Sequence, residues 1–346
     1  MANKALQLDT FNLFLIGISL VCAVYFPFEL FLLAYAILGP LHYVTEINWL
    51  DKKGYFIKKK NHIWLMVFLT AILAFPYLLW ELSSLKDIGD TTHWIYQLKL
   101  LAATFAFVAL VLAIAMVLTK NWKHILICGL SAFCIGYFLE GFLFFAVVIG
   151  GLLPTIIHVF LFTILFMLYG AMKNKSKIGY ASVLAMCVVP IFIYYLPINA
   201  GNYTLGIYFQ ESYDGSKLYN INWSIGWITG DFQKNPAYDL LTEIGIRIQI
   251  FIAFAYTYHY LNWFSKTTVI GWHKIISKKK LILILAIWVG SVAIYYYSYV
   301  IGFLILIFLS YLHVLMEFPL NVHSVKEIGK GLTKVFKKTN SQGKII

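Results

Sequence analysis

Long apolar runs, cut by short lysine-rich segments, set the rhythm of this chain. A hydrocarbon layer roughly 30 Å thick needs about 20 apolar residues per helix. On that measure the runs predict ten spans, near 9–25, 28–48, 62–80, 95–119, 124–147, 150–172, 178–197, 239–264, 281–299 and 301–320. Three stretches (9–48, 124–172 and 281–320) are long enough for two helices each, so each must contain a turn. Pro27 and Gly150-Gly151 are the expected break points in the first two, and a break near Tyr299 is expected in the third.

Two segments lack the rhythm. Residues 198–238 form a long outer loop rich in aromatics, expected either as a lid or as a structured connection. Within it Asn202-Tyr-Thr and Asn222-Trp-Ser match the glycosylation sequon. Residues 323–346 are read as a basic amphipathic tail, with Val325, Ile328, Leu332 and Val335 at helical spacing among lysines. The domain reading is therefore a helical membrane bundle over 1–322 followed by this tail.

Composition agrees. Apolar residues make up 61% of the 346 and charged residues 12%, and the mean hydropathy is +0.79. These values exclude a soluble domain and predict an all-α polytopic membrane protein, because a backbone that meets lipid must pair internally. The net charge of +12 does not imply nucleic acid, since its lysines fall in short connections. Lys52, Lys53, Lys58, Lys59 and Lys60 share one such connection, and Lys278, Lys279 and Lys280 another. Lys86, Lys217 and Lys234 alone fall on the other side. That asymmetry places both termini in the cytoplasm and predicts a multi-pass protein of a bacterial inner membrane. No cleavable signal peptide is expected from the polar Met1–Thr10 start. The four cysteines lie in apolar spans without a C-x-x-C and read as small core residues.

The candidate chemistry lies inside the spans. Leu41-His42-Tyr43-Val44-Thr45-Glu46 and Leu312-His313-Val314-Leu315-Met316-Glu317 each place a histidine and a glutamate one helical turn apart. Glu140, His158 and His259 are further ionisable groups at membrane depth. Such groups are costly in hydrocarbon and mark function by default, although a lone buried histidine more often just bonds a neighbouring helix. Imidazole and carboxylate together are what a redox metal such as iron accepts, with zinc or no metal as alternatives. His42, His158, His259 and His313 are the candidate ligands. Glu46, Glu317 and Glu140 are candidate ligands, orienters or proton carriers. Asn262, one turn from His259, and Arg247 are minor candidates for substrate or lipid head-group contact. Asp239, Glu243 and Arg247 also read as an ion-pair ladder.

The stretch Gly39-Pro40-Leu41-His42-Tyr43-Val44-Thr45-Glu46, with the aromatic run from Phe254 to Phe264 around His259, resembles segments of the Brp/Blh family. Those membrane enzymes split β-carotene with oxygen at an iron held by intramembrane histidines. The resemblance implies His42 and His259 as iron ligands. Against the family motif, Leu41 separates Pro40 from His42, Tyr43 replaces a glycine and Glu46 an aspartate, and Trp263 stands where a second histidine is expected.

Three functions compete. An intramembrane metal-dependent oxygenase for a lipophilic substrate leads. A proton-coupled carrier using Glu140, Glu46 and Glu317 comes second, and would show inverted repeats. A haem cytochrome is disfavoured because each relevant helix carries one histidine.

Overall fold

A computed structural model of the chain describes residues 2–53, 60–84, 92–231, 240–266 and 276–342. Among these residues the fold is all-helical, without strands. In chain order the helices are α1 (Ala2–Tyr25), α2 (Pro27–Leu33), a π-helical turn (Ala34–Leu38), α3 (Gly39–Lys53), α4 (Lys60–Ser84), α5 (Thr92–Leu100), α6 (Ala102–Leu118) and α7 (Trp122–Leu139). There follow α8 (Leu143–Phe145), a π-helix (Ala146–Phe162), α9 (Thr163–Asn174), α10 (Lys177–Tyr195), α11 (Ile207–Ser216), α12 (Tyr219–Ile228), α13 (Glu243–Lys266), α14 (Lys278–Tyr297) and α15 (Tyr299–Gln342). Asn121, Ser176 and Ser277 start α7, α10 and α14, each side chain accepting a first-turn amide.

Eight helical stretches among the described residues are long and apolar enough to cross a membrane. A ninth is counted if Trp94–Leu100 and Ala102–Leu118, bent by 53° at their junction, form one span. Large apolar side chains also point outward, Phe138 at 75% and Trp64 at 69% exposure. Water would penalise such a surface and lipid would not. The protein is a multi-pass membrane bundle.

The expected eighth span, α13, is not among the stretches so counted. Its 24 residues suffice in length, but Glu243, Arg247, Gln249, His259 and Asn262 make it polar. Fifteen of the 24 are buried. A helix enclosed by other helices faces no lipid, so it has no need of an apolar exterior and can carry chemistry on every side.

The first and third breaks fall where expected. Pro27 opens α2 at a position that needs no amide hydrogen. Ser298, in extended conformation, separates α14 from α15. The second break is displaced. The chain turns at Glu140-Gly141-Phe142, and Leu143–Asn174 then runs as one helical stretch through Gly150-Gly151 and Pro154. The glycines are close-approach positions instead: a Cβ on Gly150 would meet that of Ala103 at 3.1 Å, and one on Gly151 the Ser224 hydroxyl at 3.1 Å. Pro154 sits within the wider π-helix.

The segment expected as a loop over 198–238 contains α11 and α12; residues 232–239, including Asp239, lie outside the described set. Tyr213 of α11 is wholly buried against Phe28 and Phe31. Asn222 is also wholly buried and donates to Gln249, so its sequon is sealed inside the protein. The basic tail continues α15 without a break. Two apolar cores result, one on α1, α2, α10 and α13, the other on α4, α6 and α7 with part of α15.

Candidate metal centre

Four histidines from four helical segments meet between those cores. His42 lies on α3, His158 in the π-helix, His259 on α13 and His313 on α15. All four are buried, and each offers a ring nitrogen within 4.8 Å of the others. His42 Nε2 is 3.0 Å from His259 Nε2, and His158 Nε2 is 3.0 Å from His313 Nε2. The rings meet edge to face, as imidazoles converging on one point do, with His42–His259 centroids 4.7 Å apart and His158–His313 4.9 Å apart.

The local sequence explains the convergence. The narrow Gly39 lets Tyr43 fold back, since a Cβ there would lie 2.9 Å from the Tyr43 hydroxyl and 3.3 Å from that of Tyr260. Those hydroxyls are hydrogen-bonded at 2.9 Å, and the Tyr43 ring stacks on His313 at 4.2 Å. His158 occupies a π-helix, whose extra residue per turn is frequent at functional sites. Trp263 lies beside the cluster. Its indole donates to Thr45 Oγ1 at 3.0 Å and packs edge-on against His42, so it walls the cluster, and further imidazoles come from His158 and His313.

One bond fixes a tautomer. Thr163, the first residue of α9, donates its only hydroxyl hydrogen to the Val159 carbonyl at 2.9 Å. Its oxygen must therefore accept from His259 Nδ1, 2.8 Å away. His259 Nε2 then presents a bare lone pair to the cluster centre, the state a metal requires. Sequence reading passed over Thr163 because its partner lies 96 residues away; the only hint was a polar residue five positions after His158.

The carboxylates take different positions. Glu46 Oε2 lies 3.1 Å from His42 Nε2, on the ligand side. Glu317 turns away from the histidine on its own helix, and its Oε2 is 3.2 Å from His158 Nδ1. It stands where an orienting carboxylate would stand behind a ligand. Among the described residues neither Oε2 has a well-aligned hydrogen bond, and neither do the Nδ1 atoms of His42, His158 and His313. Without a cation, two carboxylates and four imidazoles would share a dry space with few donors among them, an arrangement costing several kcal/mol per unpaired ion. A divalent cation among four neutral imidazoles and two carboxylates would restore neutrality.

The remaining candidates lie elsewhere. Glu140 ends α7 in place of the expected mid-span position, because the turn comes at 140–142. Its Oε2 accepts from the Thr104 amide at 2.9 Å and from the Thr104 hydroxyl, so it caps the first turn of α6. Arg247 donates to the Leu196 carbonyl at 3.1 Å and pairs with Glu243 at 3.6 Å, closing the end of α10. Asn262 is buried, and its Oδ1 has no hydrogen bond among the described residues.

A cavity of about 850 Å³ adjoins the cluster, lined near it by His158, His313, Tyr35, Tyr43, Tyr256 and Tyr260. Phe303 and His313 both line it, and ten residues of α-helix span about 15 Å. The cavity thus runs from the histidines toward α11 and α12.

Metal–nitrogen bonds of about 2.1 Å place ligands about 3.0 Å apart at right angles and about 3.4 Å apart in a tetrahedron. The two Nε2–Nε2 separations of 3.0 Å would let one ion engage both nitrogens of each pair. If Thr163 fixes His259 for such an ion, Thr163→Val is expected to weaken metal affinity 10- to 100-fold while leaving the helical content intact, as measured by metal titration and circular dichroism.

Searches against protein-family models, curated proteins and solved structures find no match for this chain.

Proposed function

We propose that the four histidines hold a transition metal, iron by preference, and that the protein is an intramembrane oxygenase acting on a lipophilic substrate such as a carotenoid or other lipid. The observation that carries the reading is the convergence of four buried imidazoles from four helical segments, beside a cavity of about 850 Å³. Four imidazoles without thiolate suit iron as well as zinc, but a closed tetrahedral zinc site would have no use for the adjoining cavity. The metal, when bound, would supply oxygen activation to the site. The segments of resemblance to the Brp/Blh family point the same way.

The chain's own residues supply the rest. The tyrosines and Phe303 offer a long apolar chamber with flat faces, suited to an extended unsaturated molecule. Tyr43 and Tyr260 hold each other's hydroxyls, so neither leaves an unpaired polar group against an apolar occupant. Burial keeps bulk water from the reacting region. Cleavage of a carbon–carbon double bond by one dioxygen balances without a further reductant: that bond and the O–O bond break, and two carbonyls form. We place the bundle in a bacterial inner membrane, with both termini cytoplasmic.

Expression in a carotene-accumulating bacterium, followed by extraction and chromatography, tests the reading. Oxygen-dependent loss of pigment with carbonyl products, absent with His158→Ala, is the expected result. Purified protein with less than a tenth of an equivalent of any transition metal after growth in iron, zinc or manganese would overturn it.

A further inference from the structure

The helices that carry the histidines continue past them in one direction. The rings of His42 and His259 have centroids 4.7 Å apart, and further along the same helices those of Trp49 and Trp263 are 5.6 Å apart, so α3 and α13 run side by side. Ring centroids 6.4 Å apart for Phe162 and Phe318, and again for Tyr169 and His323, show the π-helix and α9 following α15 in the same way. Beyond His313, α15 carries Glu317, Asn321 and Ser324, all buried. Spacings of four, four and three residues keep these side chains and His313 on one face of the helix. Ser324 adjoins Val325 and Lys326, which are exposed. The cavity leads the other way, since Phe303 precedes His313 on α15.

This face is polar without being paired. Asn321 is 4% exposed and Ser324 0%. Among the described residues neither amide atom of Asn321 has a hydrogen-bond partner, and the Ser324 hydroxyl has none. Polar side chains inside a bundle ordinarily bond a neighbouring helix. An amide unpartnered at both atoms holds no helix in place and costs about 1–3 kcal/mol for each buried group. Such groups inside a membrane protein mark paths for ions or substrates, and a lipophilic substrate has no use for an amide.

We infer that Ser324, Asn321 and Glu317, in that order, are the route by which a divalent cation reaches the histidines. The inference rests on the reading of the four histidines as a metal site. A divalent ion shedding its water needs oxygen ligands at each stage. A hydroxyl, an amide oxygen and a carboxylate supply them at steps of about 4.5 and 6 Å along the helix. The sequence is graded, neutral at the entrance and anionic beside His158, where Glu317 Oε2 lies 3.2 Å from Nδ1. The chamber is the poorer entrance. Two lysines, Lys99 and Lys217, line it against the one carboxylate of Glu140, and their charge opposes a cation.

Rate and affinity separate a passage from a ligand. Metal-free protein in detergent is mixed with cobalt(II) under argon, and the visible absorption of the bound ion is followed for both rate and end point. Asn321→Leu is expected to load about tenfold more slowly than the native chain, with its affinity unchanged within about twofold. Ser324→Val is expected to behave alike, and slowing in either variant at native affinity supports the route. Neither substitution strands a partner, so both variants are expected to fold with melting temperatures at or above native. Phe303→Trp, which narrows the chamber, is expected to load at the native rate. Native-rate loading in both α15 variants would overturn the route and leave the metal centre standing, as would slowing in Phe303→Trp alone. A parallel fall of rate and affinity in Asn321→Leu would make that residue a ligand, and loss of the fold in both variants would make the two side chains structural; either result defeats the inference. A native chain that takes up no cobalt defeats the metal reading and the route together.

Discussion

Replacing His313 by alanine is expected to reduce bound metal from one ion per chain to near zero, measured by elemental analysis of the purified protein. Four imidazoles surround the centre, and His313 Nε2 faces His158 Nε2 at 3.0 Å. Its loss removes one ligand and the ring on which Tyr43 stacks. Changing a residue behind a ligand costs 10- to 100-fold in affinity, and losing the ligand costs more. Glu317→Gln supplies the graded comparison. It keeps the shape behind His158 and removes the charge, so affinity is expected to fall within that smaller range. If His313→Ala retained a full equivalent while keeping its helical content, the four-histidine centre would be refuted, whatever reaction the protein catalyses.

Much of this centre was legible in the chain, for a physical reason. Hydrocarbon is an unforgiving solvent, so an ionisable residue inside an apolar run stands out with little noise. His42, His158, His259 and His313 were all selected that way. Pairing was not legible. The two hexads invite the reading that each glutamate serves the histidine one turn before it, and Glu46 does lie beside His42. Glu317 instead crosses to His158 on another helical segment, because tertiary packing and not sequence spacing decides which side of a helix faces which neighbour. Glu140 misled for a related reason. Gly150-Gly151 looked like a turn, which put Glu140 inside a span. Both glycines serve close helix approach, the turn moves to 140–142, and the carboxylate becomes a cap.

The eighth expected span shows what hydropathy alone overlooks. A lipid-facing helix must be apolar on its outer side, whereas α13 is enclosed and mixes Gln249, His259 and Asn262 among aromatics. Its polarity is the mark of a central position. The carrier reading loses its mid-membrane acid with Glu140 at a helix end. It keeps only Glu46 and Glu317, both beside histidines of the cluster.

Gln249→Leu is expected to produce the largest loss of stability among single substitutions away from the histidines. Gln249 is wholly buried, and both its amide hydrogens and its oxygen are hydrogen-bonded. Its amide donates to the Pro27 carbonyl at 2.9 Å and to the Tyr213 hydroxyl at 2.6 Å, and its oxygen accepts from Asn222 at 2.8 Å. These partners belong to the start of α2, to α11 and to α12, so one side chain ties together three parts of the chain. Leucine would fill the volume and strand the Pro27 carbonyl and the Asn222 amide at once. Each stranded group costs about 1–3 kcal/mol when buried, though partners found in a loosened membrane protein reduce the sum. A net loss of about 3 kcal/mol follows, visible as a lower melting temperature in detergent and faster proteolysis between α11 and α12. Because α11 and α12 border the chamber and not the histidines, metal content of the surviving folded fraction is expected to stay at one ion per chain. A variant as stable as the native protein would mean that the α2–α11–α12 junction is held by apolar packing alone.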